Sequence, residues 1–160
     1  RARFALHDMH QHITEIDHDM TLPTPDLRPE REWDGQRFVH SLANEGAFKP
    51  FRIPGFEARD TTICANTRGV ASVVVARPTG QAAPWTRHDG DILFTFVMSG
   101  GMVLEGQGKD PYRLASGDAF VIPPGMATRY GAPTPDLQLL EVTLPGAFRT
   151  EVLPGPPEDV

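Results

Sequence analysis

Cysteine is nearly absent: Cys64 is the only one among 160 residues. A single thiol closes no intrachain disulfide and builds no zinc knuckle, and it suits a reducing compartment, so a cytoplasmic location is expected. Long apolar runs are missing too. None approaches the ~18–20 residues that a membrane-crossing helix needs, so no membrane partner is expected. Positive charge is in deficit, with 15 Lys and Arg against 21 Asp and Glu and a formal net charge of −6. No basic face is then available to neutralise phosphates, which argues against a nucleic-acid partner. The opening Arg1-Ala2-Arg3-Phe4 is not read as a secretory signal, because no apolar core follows its charges. The first residue is not methionine, so further residues upstream are expected. Internal repeats and low-complexity tracts are also lacking.

Turn-formers, by contrast, are abundant, with 15 glycines and 16 prolines. Such punctuation between short apolar runs favours an all-β domain over a helical one. The length fits one domain with an appended arm. Residues 1–45 read as the arm: polar, and holding five of the six histidines (His7, His10, His12, His18 and His40). Phe4 to Met20 has no glycine or proline and reads as a short helix. Pro23, Pro25 and Pro29 force the following stretch to be extended or turning. From residue 46 to 148 the pattern is strands, expected at Thr61–Cys64, Gly69–Ala76, Asp91–Met98, Met102–Glu105, Tyr112–Leu114, Ala119–Ile122, Thr128–Gly131 and Leu137–Leu144. Met102–Glu105 is expected to pair back on Asp91–Met98 as a hairpin across Ser99-Gly100-Gly101. Evenly spaced short antiparallel strands point to a sandwich or a barrel. Residues 149–160 read as a disordered tail.

The spacing of the glycines then points to a family. Gly80 is followed by five residues and Thr86-Arg87-His88, then by four residues and Leu93, then by six residues and Gly100. Gly117 is followed by five residues and Pro123-Pro124-Gly125, then by Thr128 and Ala132. This resembles the two motifs of the cupin superfamily, small jelly-roll β-barrels, over roughly Phe51 to Leu144. The scaffold glycines and the proline fall in register. In the family's metal-binding members, two histidines and a glutamate of the first motif and a histidine of the second hold one divalent metal. The matching positions here are Thr86, His88, Leu93 and Thr128. One ligand type of four remains, and neither a threonine hydroxyl nor a leucine replaces the others. The resemblance therefore implies a cupin jelly-roll barrel with degenerate metal-ligand positions. No cofactor is expected, and the resemblance implies a homodimer.

Strand alternation places Thr86 and His88 on one face, with Leu93, Thr95, Val97, Thr128 and Tyr130 facing the same interior. The expected ligand-binding residues are thus Thr86, His88, Leu93, Thr95, Thr128 and Tyr130, an apolar pocket with few directional polar groups. The leading functional expectation is a metal-free cupin that binds a small polar organic molecule. Three alternatives stand beside it. The first is an isomerase or epimerase with His88 as base and Tyr130 as acid, as the resemblance to metal-free sugar-nucleotide epimerases implies. The second is a metalloenzyme that combines His88 with His7, His10 and His12. The third is a structural dimerisation module with a filled barrel. The plainer reading of His88 is an imidazole held by a hydrogen bond to Thr86 or Thr128. Trp33 and Trp85 read as packing residues. Phe94 and Phe96 have outward parity, and Arg87 and Arg129 are candidates for an anion near the barrel mouth.

Overall fold

The computed structural model describes residues 30–158. The expected helix over 4–20, the proline-rich stretch and His7, His10, His12 and His18 lie outside the described residues. The compact unit starts at Glu32. It opens with a two-stranded hairpin, β1 (Glu32–Trp33) and β2 (Gln36–Arg37). Residues 32–45 had the composition of the arm. They are nevertheless tied to the body, because Arg59 Nη1 donates to Ser41 Oγ at 2.8 Å and to the Leu42 carbonyl at 3.3 Å.

Two antiparallel sheets follow. The six-stranded sheet runs in the order β10 (Ala119–Val121), β7 (Ile92–Ser99), β12 (Gln138–Leu144), β5 (Ser72–Pro78), β4 (Phe56–Asp60), β3 (Lys49–Pro50). The five-stranded sheet runs β13 (Thr150–Val152), β6 (Thr86–His88), β11 (Thr128–Gly131), β8 (Gly101–Gly106), β9 (Tyr112–Ala115). Leu93, Val97, Leu139 and Ala76 from the first sheet and Met102, Leu114 and Tyr130 from the second share one buried core. Strand-order crossovers within two facing sheets make this a jelly-roll barrel, nearly all β. Among the described residues, no helix is long and apolar enough to cross a membrane.

Three expectations differ from what is observed. The segment Thr61–Cys64 is not a strand. The strand β4 precedes it, and α1 (Ile63–Asn66) is a helical turn. Thr62 takes φ +65° and its N–H donates to the Asp60 carboxylate at 2.9 Å, so the chain leaves the sheet there. Residues 150–152, expected within a disordered tail, form β13 and pair with β6 in the register Thr150↔His88 and Val152↔Thr86. Finally, β7 and β8 are not a hairpin, because β7 pairs with β10 and β12 while β8 pairs with β9 and β11. Ser99-Gly100-Gly101 carries the chain from one sheet to the other. Gly100 has φ +69°, and a Cβ there would lie 2.7 Å from the Leu137 backbone. Only glycine allows so close an approach.

Candidate functional site

Alternation along β6, β7 and β11 turns one set of side chains into the barrel. Thr86, His88, Leu93, Thr95, Thr128 and Tyr130 are all buried, while Arg87 between Thr86 and His88 is exposed. Thr86 and Thr128 are strand partners. Phe94 and Phe96, of opposite parity, are half-buried on the other face. The candidate anion ligands are already paired: Arg87 with Glu151 at 2.7 Å and Arg129 with Glu105 at 2.5 Å. Trp85 is half-buried, with the Arg129 guanidinium 5.8 Å from its ring, and Trp33 is 42% exposed.

His88 is a latch between strands. The Gly90 N–H donates to Nδ1 at 3.1 Å, and Nε2 lies 2.8 Å from the Ile122 carbonyl. A carbonyl only accepts, so Nε2 carries the proton and Nδ1 uses its lone pair on Gly90. Its own carbonyl accepts from Gly125 N–H at 2.8 Å, and Phe148 meets the ring edge-on at 5.9 Å. The partners are therefore backbone groups rather than the expected Thr86 or Thr128. They fasten β6 to the turn between β10 and β11.

The polar centre of the barrel lies elsewhere, in two residues that sequence reasoning missed. Glu141, on the inward face of β12 between Leu139 and Thr143, is 3% exposed. Arg52, in the loop after β3, reaches it twice: Nε to Oε1 at 2.9 Å and Nη2 to Oε2 at 2.5 Å. Phe51 and Phe148 flank the guanidinium at 5.1 and 5.6 Å. Burial alone would lower the Arg52 pKa, but the Glu141 carboxylate outweighs it and the net shift is upward. Tyr130 reaches across from the opposite sheet, its hydroxyl in long contact with Arg52 Nη2 at 3.5 Å. Phe56 and Phe120 meet the Tyr130 ring edge-to-face, each at 5.8 Å. Burial pushes the Tyr130 hydroxyl up from 10.0 to about 12; Arg52 opposes that rise and Glu141 adds to it. Thr95 is close enough to be a minor downward influence on the phenol, without closing a well-formed hydrogen bond. Two buried hydroxyls, Thr95 Oγ1 and Thr143 Oγ1, have no hydrogen-bond partner among the described residues. His88 and Tyr130, expected as a base–acid pair, thus belong to different networks.

The positions that the resemblance marks for metal ligands do not fit a divalent metal. Leu93 has no donor atom, Thr86 and Thr128 offer only neutral hydroxyls, and both His88 nitrogens are engaged with backbone. Among the described residues, no three His, Cys, Asp or Glu side chains are placed to hold one ion.

Space for a ligand opens where the two sheets end side by side. A cleft of about 490 Å³ lies between the edge strands β9 and β10. Leu104, Leu114, Phe120, Ile122 and Met126 line it, with Thr128 as the one expected ligand-binding residue on its wall. Lys109, Asp110, Arg113 and Asp118 supply charge of both signs to the lining. A second, more polar cleft of about 680 Å³ runs beside Trp85, Gln107, Gly108 and Pro156.

Residues 73–143 match the family model of the cupin domain. No curated protein sequence matches the chain. Among solved structures, KdgF from Halomonas sp. is similar over 68% of this chain and 95% of its own, with 19% identity and a TM-score of 0.56. Pac13, described as a nucleoside dehydratase and found in Streptomyces, is similar over 76% of this chain and 95% of its own, with 13% identity and a TM-score of 0.58. A cupin-like protein of Thermotoga maritima is similar over 74% of this chain and 92% of its own, with 21% identity and a TM-score of 0.53. At these identities the structural likeness establishes the fold, and it agrees with the two glycine-spaced motifs and the jelly-roll topology. Residues 73–143 thus match a cupin domain, and the barrel that holds them has the cupin jelly-roll fold.

Proposed function

We propose that this cupin domain binds a small organic molecule in the cleft between β9 and β10, without a metal in the barrel. The observation that carries this reading is the cleft itself: about 490 Å³ with an apolar wall of Leu104, Phe120, Ile122 and Met126. That volume lies within the usual range of small-molecule sites, as does an apolar lining with few directional polar groups. Thr128 supplies one such group inside, and Lys109 and Arg113 supply others in the lining. The neighbours in fold include an enzyme described as a nucleoside dehydratase, so a ligand of ring size is in keeping with what such barrels accommodate.

An isomerase with His88 as base and Tyr130 as acid is less well supported. The His88 lone pair already accepts from Gly90, and a phenol held near 12 gives up its proton reluctantly at neutral pH. The test of the binding reading is a thermal-shift screen of ring-sized neutral and charged compounds on the full chain. Compounds that raise the melting temperature of the wild type are expected to lose that effect in Met126→Trp, where the larger ring fills the cleft. Gains that persist in Met126→Trp place binding elsewhere and contradict the reading.

A further inference from the structure

Deep to the cleft, the inward face of the six-stranded sheet carries an unusual row. Phe120, Thr95 and Glu141 are successive cross-strand partners on β10, β7 and β12. Phe120 lines the cleft, so Thr95 sits one strand spacing, about 4.8 Å, behind its wall. Thr143 follows Glu141 by two residues on the same face and is diagonal to Thr95. Both hydroxyls are more than nine-tenths buried, and among the described residues neither has a hydrogen-bond partner. A buried hydroxyl without a partner lowers stability, and a ligand group that bonds to it would remove that cost. The Tyr130 hydroxyl lies beside Thr95, and its ring packs on Phe120.

We propose that the Thr95, Thr143 and Tyr130 hydroxyls form an inner polar subsite of the cleft, reached past Phe120, that takes the uncharged hydroxyl or carboxamide end of a ligand. This rests on the binding reading above and adds a class of ligand to it. The hydroxyls can each donate and accept, which suits a neutral group that does both. A carboxylate end is disfavoured. The one cation at hand, Arg52, is already held by Glu141 through two nitrogens, and a second carboxylate would face the Glu141 charge at short range with little water between them.

Two arms of one experiment test this, using the full chain and its Thr95→Val and Thr143→Val variants. The first arm needs no ligand. Each valine is expected to raise the melting temperature by roughly 2–4 °C, because an unsatisfied buried hydroxyl is removed. An unchanged or lower melting temperature means that the hydroxyls are satisfied structurally, and it overturns the inference while leaving the cleft as a binding site. The second arm measures benzamide, benzyl alcohol and benzoate by ligand-observed NMR. The two neutral probes are expected to bind wild type about 5- to 10-fold tighter than benzoate, and to lose a similar factor in the double variant. Benzoate binding as tightly as benzamide, or neutral probes unaffected by the valines, overturns the inference alone. Binding by none of the three overturns both the subsite and the binding reading.

Discussion

Arg52 and Glu141 carry opposite charges into the barrel, and neither is stable there without the other. Removing one partner of such a pair strands a buried charge, whereas replacing both by apolar residues of similar volume is often nearly neutral. Glu141→Leu is therefore expected to destabilise the fold by about 3–5 kcal/mol, and the double change Arg52→Met with Glu141→Leu to recover most of that loss. Urea unfolding of the two single variants and the double variant closes the cycle and checks both figures. Tyr130 makes a prediction of its own. Its hydroxyl ionises near 10.0 in the unfolded chain and near about 12 in the fold, so the fold favours the neutral phenol. Between those values the unfolded state has released a proton that the folded state keeps, so stability falls as pH rises. The contribution is intact below about pH 10 and lost by about pH 12, a decline on the order of 2–3 kcal/mol. Tyr130→Phe should flatten that alkaline slope in a pH series of urea melts. A slope that persists in the variant places the proton released on unfolding elsewhere.

At the level of single elements, the junction between β7 and β8 depends on Gly100. A side chain there would meet a left-handed backbone and the Leu137 backbone 2.7 Å away. Gly117 also has positive φ but has nothing within 4 Å of the Cβ position. Gly100→Ala is thus expected to lower stability by well over 1 kcal/mol and Gly117→Ala by about 1 kcal/mol, measured by thermal unfolding. The two glycines show what the sequence could and could not convey. Their spacing, together with the alternation of β6, β7 and β11, was enough to point to the barrel and to the residues of those strands that face inward. The partner of β8 was not legible, because a Ser-Gly-Gly turn serves a hairpin and a sheet crossover equally well, and Thr134 and Leu137, which force the choice, lie far along the chain. The helical turn at Ile63–Asn66 was hidden for a similar reason. The run Thr61-Thr62-Ile63 leading into it is β-branched and favours a strand, and the local Asp60–Thr62 hydrogen bond overrides that preference.

On the scale of the whole molecule, the proposed binding site opens where two sheets stop side by side, not in the middle of the barrel. The middle is occupied by the chain's own side chains: the Arg52–Glu141 pair, Tyr130 between two phenylalanines, and a histidine fastened to backbone. The inward parity of Thr86, His88, Thr95, Thr128 and Tyr130 could be read from alternation, but their chemistry could not. Glu141 is the one charge on the inward parity of β12, and nothing near it in sequence names its partner. Arg52 lies 89 residues away in sequence, with no local signal of its partner. The cleft was equally hidden, since it depends on two edge strands, β9 and β10, ending side by side. The most direct test of the central claim is an amide-shift map of the labelled full chain titrated with benzamide. The account predicts the largest shifts at Arg113, Leu114, Phe120, Val121, Met126 and Thr128, around the cleft between the sheet edges. Shifts confined to Trp85, Gln107 and Gly108, in the second cleft, or no saturable shift at all, would contradict it.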